Sequence, residues 1–206
     1  MRLTNFFLSL FRRTFKVRNY VANTLSTYRI LSSPLLIFFL FTDRTGLFKW
    51  FLALSFFTDA ADGLIARRMR TKSVFGARLD SIGDDITVAI AIAGIVKLFP
   101  WFIYDQQIAI SIVLALLVLQ IGVALIKFRK MTAYHTYLAK LAAVLQAAWL
   151  LGFFFFETPL YMLFYLCILV TCLQLAEEIV ITLVLSVYTV DVKGVYWAVK
   201  KNRPGN

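Results

Sequence analysis

Long apolar runs, broken only by short polar turns, dominate the chain from about residue 20 to 188. The runs predict six helices: about Val21 to Phe41, Leu47 to Arg68, Val74 to Phe99, Ile108 to Ile126, Ala133 to Phe156 and Leu160 to Tyr188. Each is about 20 residues or longer, the length that crosses a hydrocarbon core. The predicted turns are TDRTG, MRTKSV, WFIYDQQ, KFRKM and ETP. Ahead of the runs, Leu3, Phe6, Phe7, Leu10, Phe11 and Phe15 recur at helical spacing among Arg2, Arg12, Arg13 and Lys16. That pattern predicts an amphipathic basic helix lying in the membrane interface. The tail VDVKGVYWAVKKNRPGN predicts a short interfacial helix and a frayed end.

The expected fold is therefore an all-α integral membrane protein. It is a single membrane domain over 1–206: an interfacial helix at 1–19, a six-helix bundle at 20–188 and a tail at 189–206. Composition agrees, with 61% hydrophobic residues and mean hydropathy +0.78. A net charge of +11 would suggest nucleic acid in a soluble protein. Here the cations lie at the ends of apolar segments, so no nucleic-acid partner is expected, and lipid headgroups and the positive-inside rule account for them. Of the 22 Lys and Arg residues, only Arg44, Lys49 and Lys97 fall on the side of the 42–46, 97–107 and 156–159 turns, and the other 19 fall at or near the opposite side. This bias puts both termini on the cytoplasmic side of a cell (inner) membrane. The early apolar run is broken by Arg12 and Arg13, so no cleavable signal peptide is expected. Cys167 and Cys172 lie in an apolar run without other metal ligands and read as packing residues.

Four aspartates depart from this apolar background. Asp59 and Asp62 stand three apart at the end of the second run; Asp80 and Asp84 stand four apart at the start of the third. Residues three or four apart share a helix face, so each pair can aim two carboxylates at one point. Both pairs lie at the same membrane level, on the cytoplasmic side. Four carboxylates converging at a membrane boundary are costly unless a positive charge sits among them. Hard divalent cations such as Mg²⁺ favour these oxygens and bridge to phosphates. Asp85 points off that face.

The stretch 59–84 reads D-x-x-D-G-x-x-A-R-x₈-G-x-x-x-D-x-x-x-D, eight specified residues over 26 positions: Asp59, Asp62, Gly63, Ala66, Arg67, Gly76, Asp80 and Asp84. It resembles the signature of the CDP-alcohol phosphotransferase family, membrane enzymes that build phospholipids from CDP-linked donors. The opening of the first run, Asn23 to Arg29 with Pro34 following, is also similar to family members.

The resemblance implies an active site at 59–84 on the cytoplasmic side, holding two Mg²⁺ or Mn²⁺ ions. Asp59, Asp62, Asp80 and Asp84 are then the metal ligands, and Asp84 is also the general base. Asp59, Asp62, Gly63, Ala66, Arg67, Gly76 and Asp80 would hold the CDP donor, with Arg67 on a donor phosphate. The implied reaction transfers a phosphatidyl group from CDP-diacylglycerol or a similar CDP-lipid to a small polar alcohol, releasing CMP. Homodimerisation is a further family property.

For the acceptor, Arg129, His135 and Lys140 form a second polar cluster suited to a phosphorylated alcohol. Phosphatidylglycerophosphate synthases typically show L-D-P-x-x-D-K, whereas this chain has Leu79-Asp80-Ser81-Ile82-Gly83-Asp84-Asp85. The expected acceptor is therefore inositol phosphate, with glycerol 3-phosphate, serine or inositol as alternatives. Outside enzymology, a transporter or a scaffold with a degenerate site remain open. Glu177 and Glu178 interrupt the sixth run, and one of them could pair with Arg29 or Lys140.

Overall fold

The computed structural model describes residues 32–69, 74–130, 132, 134, 136–189 and 192–201; for 59–69, 74–82, 84 and 85 it describes the helix only. The interfacial helix expected at 1–19, the start of the first span with Asn23 and Arg29, the basic turn at 70–73, His135 and the last five residues lie outside these. Every regular element among the described residues is helical. Two compact units divide the chain between Phe99 and Pro100.

The first unit contributes α1 (Ser32–Phe41), α2 (Thr45–Met69) and α3 (Val74–Leu98). Helix α1 buries Leu36, Phe39 and Leu40, positions at helical spacing, while Ile37, Phe38 and Phe41 stay exposed. The turn after it is the predicted 42–46 corner. Asp43 adopts the left-handed conformation there (φ 54°), a geometry that aspartate tolerates better than most residues. Thr42 N and Arg44 N donate back to Phe38 O and Phe39 O (2.9 and 3.0 Å), satisfying carbonyls at the helix end. Lys97 Nζ at the end of α3 closes the same corner, donating to Leu40 O (2.6 Å) and pairing with Asp43 Oδ1 (2.7 Å).

The second unit contributes α4 (Pro100–Asp105), α5 (Gln107–Phe128), α6 (Tyr137–Phe156), α7 (Tyr161–Val184) and α8 (Val195–Lys201). Helices α5, α6 and α7 are long and apolar enough to cross a membrane. Shorter apolar segments lie at Ser32–Phe41, Thr45–Thr58 and Ile86–Leu98. Helix α7 packs against both α5 and α6, with polar links to each. Gln120 Nε2 on α5 donates to Glu178 Oε2 (3.0 Å). Gln146 Nε2 on α6 donates to Thr171 Oγ1 (2.9 Å). Interhelical hydrogen bonds of this kind contribute about 0.6 kcal/mol on average in membranes.

The sequence predicts a turn at WFIYDQQ, but the chain forms the short helix α4 there. Pro100 is pre-set for a first helical position, and burial of Phe102 drives the rest. The Phe102 ring meets Phe153 at 4.9 Å, Phe164 at 5.1 Å and Trp149 at 5.7 Å. Trp149 Nε1 donates to Pro159 O (2.8 Å), tying in the α6–α7 turn. Helix α6 also starts later than the predicted Ala133, because Thr136 caps it: Thr136 Oγ1 accepts from Ala139 N (3.0 Å). Helix α7 ends at Val184 rather than near Tyr188, since the chain folds back to bury Leu185, Val192 and Ala198 with Tyr134 and Ile181. The predicted tail helix is α8. Both cysteines are free.

Candidate active site

Helix α2 carries Asp59, Asp62, Gly63, Ala66 and Arg67, and α3 carries Gly76, Asp80 and Asp84. Their side chains lie outside the described residues, but the register of each helix is informative. On α2 the buried positions are Phe48, Leu52 and Ser55. At about 100° per residue, positions 59, 62, 63 and 66 continue that same face within an arc of about 100°. On α3 the buried positions are Gly83, Thr87, Ile90, Ala91, Gly94 and Ile95. Positions 76, 80 and 84 fall within their arc of about 140°, whereas 85 does not. Helices α2 and α3 pack against each other. The register therefore puts both aspartate pairs at helix positions in line with the described buried stripes of two packed helices.

Part of α3's stripe was readable and missed. Gly83, Thr87 and Ala91 recur every four residues, and small residues at that spacing let membrane helices approach closely. Thr87 adds no unsatisfied polarity, because its Oγ1 donates to Gly83 O (2.8 Å).

Of the three acceptor candidates, Arg129 and Lys140 are described. Arg129 is the exposed C-cap of α5 in the left-handed conformation (φ 53°), and its N–H donates to Leu125 O. Lys140 lies in the first turn of α6, not two turns inside, because the helix begins at Tyr137. It is exposed, with Nζ 5.4 Å from the Tyr137 ring centroid. The connection between them is fastened to α5 and to α7. Thr132 Oγ1 accepts from Gln120 Nε2 at 3.3 Å, and the Tyr134 hydroxyl pairs with Thr182 Oγ1 at 3.1 Å. Burial raises the Tyr134 hydroxyl above its ordinary pKa, and its hydrogen bonds to Thr182 and Thr132 partly offset this.

The glutamates resolve into unlike roles. Glu178 is buried and accepts from Gln120 Nε2 and, at 2.6 Å, from Gln174 Nε2. Glu177 sits under the α7–α8 connection, where a Cβ on Gly194 would lie 3.1 Å from its Oε1. Among the described residues neither glutamate forms the ion pair that the sequence suggested with Lys140. The partners of Glu178 are glutamines, which the search for charged partners passed over.

Apolar helices, two of which pack together and each carry an aspartate pair in register with their buried faces, define a class: a helical membrane protein with paired acidic positions on neighbouring helices. The chain matches the CDP-alcohol phosphatidyltransferase family over residues 19–188. It belongs to that family. Two curated relatives are named CDP-diacylglycerol–glycerol-3-phosphate 3-phosphatidyltransferase. The one from Cereibacter sphaeroides is 38% identical over 92 residues, 40% of this chain and 41% of the relative. The other, numbered 2 in Arabidopsis thaliana, is 34% identical over 95 residues, 40% of each chain. The chain thus spans about two fifths of the length of the curated relatives it matches. No solved structure matches at the same level.

Proposed function

We propose that the chain is a multi-pass CDP-alcohol phosphatidyltransferase of six membrane spans, transferring a phosphatidyl group from CDP-diacylglycerol to glycerol 3-phosphate and releasing CMP. The observation that carries the reaction class is the continuation of both buried stripes through Asp59, Asp62, Asp80 and Asp84 within a family match of residues 19–188. The acceptor follows the two relatives' names in place of the inositol phosphate expected from the missing L-D-P-x-x-D-K pattern. Both are phosphorylated alcohols, so the basic cluster serves either one.

The donor set fits hard divalent cations such as Mg²⁺, since four carboxylates on two packed helices supply the oxygens they prefer. Asp59, Asp62, Asp80 and Asp84 would hold two such ions, which supply charge neutralisation at the pyrophosphate. The chain's own residues do the rest. Arg67 binds a donor phosphate, and the small residues Gly63, Ala66 and Gly76 admit the cytidine nucleotide against the helix backbone. Arg129, His135 and Lys140 bind the acceptor phosphate. Asp84 takes the proton from the acceptor hydroxyl as its oxygen bonds to the phosphorus that bears diacylglycerol, and the P–O bond to CMP breaks. The charge bias places this site and both termini on the cytoplasmic side.

The test is CMP release by the purified protein in detergent with CDP-diacylglycerol, Mg²⁺ and one acceptor at a time: glycerol 3-phosphate, inositol phosphate, inositol, serine or none. Release that depends on glycerol 3-phosphate is expected. Dependence on inositol phosphate instead would overturn the acceptor and keep the reaction. Silence with every acceptor, and with other CDP-lipids, would overturn the transferase reading.

A further inference from the structure

The two ends of the α5–α7 bundle differ in chemistry. The α6–α7 end carries Asp105 and Glu157 and has no Lys or Arg at 100–107 or 156–161. The α5–α6 end presents Lys127, Arg129, Lys130, Lys140, Lys193, Lys200 and Lys201, all exposed. The described carboxylates nearest in sequence turn inward, Glu178 onto Gln120 and Gln174 and Glu177 beneath Gly194. Two of the cations have partners within the protein: Lys127 Nζ donates to Leu183 O (2.7 Å), and Lys140 lies by the Tyr137 ring. Among the described residues, Lys130, Lys193, Lys200 and Lys201 meet no carboxylate.

An aromatic platform stands beside these lysines. Trp197 packs edge-on against Tyr196 at 5.5 Å and against Tyr137 at 5.9 Å, and all three rings remain exposed. Helix α8 is held to the bundle rather than trailing from it. Its Ala198 is fully buried with Tyr134, Ile181, Leu185 and Val192, and Tyr137 N donates to Lys193 O (3.3 Å).

We propose that this face, Lys130, Lys193, Lys200 and Lys201 with Tyr196 and Trp197, is a docking surface for anionic phospholipid headgroups. Topology alone would be served by cations anywhere on this end. Lysines without carboxylate partners among the described residues, beside exposed amphipathic rings, match a layer of negative phosphates at headgroup depth. A zwitterionic headgroup brings its own cation and gains less. The surface is independent of which reaction the chain performs.

Native mass spectrometry of the whole chain in nonionic detergent, titrated with phosphatidylglycerol or phosphatidylcholine, tests this. Phosphatidylglycerol should be held at least tenfold more tightly, and the preference should shrink as ionic strength rises. Each lysine removed should weaken it about fivefold, so Lys193→Gln/Lys200→Gln/Lys201→Gln should abolish it. Equal retention of the two lipids overturns the proposal. So does an undiminished preference in a triple variant that elutes like the parent, which would locate the anionic lipid at some other site. If the triple variant does not fold, the salt series on the parent decides, and a salt-insensitive preference overturns it.

Discussion

The units on either side of Phe99 handle intramembrane polarity in opposite ways. In the second unit most polar side chains of the bundle satisfy one another: Glu178 receives two amides, Gln146 reaches Thr171, and Tyr134 meets Thr182, while Glu177 Oε2 is buried without a hydrogen-bond partner among the described residues. On α3 the buried Thr87 turns back onto its own helix, donating to Gly83 O. The register of the two helices then reaches the positions of four aspartates. Neutral networks within membrane helices are matters of packing, whereas a carboxylate cluster demands something from outside the chain. The difference marks one unit as the place to look for chemistry and the other as the place to look for architecture.

The largest effect should come from the acidic stripe. Asp84→Asn should cut CMP release by about 10²–10⁴-fold, the range for losing a general base, with an unchanged elution profile and melting temperature. Removing divalent metal with EDTA should silence the parent, and Mg²⁺ should restore it. If Asp84→Asn unfolded the protein without a separate loss of turnover, the contrast between the units would collapse.

The acceptor cluster should act on binding. Lys140→Met should raise the acceptor KM several-fold and leave the melting temperature in place, because Lys140 is exposed in the first turn of α6. An unchanged KM removes Lys140 from the acceptor site. The sequence placed this lysine deeper because a hydropathy run starts wherever apolar residues start. A helix starts where its first N–H groups find acceptors, and Thr136 supplies one.

That contrast says how much was legible. Helices α2, α3, α5 and α6 fall within a few residues of the predicted runs, since length and apolarity alone set them. The aspartate pairs were legible because carboxylates in an apolar run stand out and helical spacing converts directly to a face. Helix α4 was not, because its cause is a tertiary event, the burial of Phe102 among Trp149, Phe153 and Phe164. The partners of Glu178 were missed for a related reason. A charged residue suggests a charged partner, but neutral glutamines satisfy a buried carboxyl equally well. The fold-back after Val184 depends on Tyr134, a residue fifty positions away, and no local pattern announces it.

In the architectural unit the same kind of substitution should cost stability and spare catalysis. Glu178→Ala leaves the Gln174 amide without its acceptor and leaves the Gln120 amide with Thr132 alone. A loss of about 1 kcal/mol is expected, between the average and the largest values for such bonds in membranes, seen as a lower melting temperature in detergent. CMP release at saturating substrates should stay within about twofold, and Glu178→Gln should recover part of the stability. A drop in turnover as large as that of Asp84→Asn would mean that the polar network of α5–α7 takes part in the chemistry.

The smallest effect belongs to the corner of the first unit. Lys97 pairs with Asp43 and caps Leu40 O, yet the pair is partly open to solvent, with side-chain exposures of 33% and 77%. Exposed pairs contribute about 0–1 kcal/mol. Lys97→Met should therefore lower the melting temperature slightly, and the effect of adding salt should be smaller in the variant than in the parent. Turnover should not change, because the corner lies at the opposite end of α3 from Asp80 and Asp84, about four to five helical turns away. If this substitution cost as much activity as Lys140→Met, the register of α2 against α3 would depend on that corner. The acidic stripe would then owe its alignment to a single ion pair, and the first unit would be an architectural element as well as a chemical one.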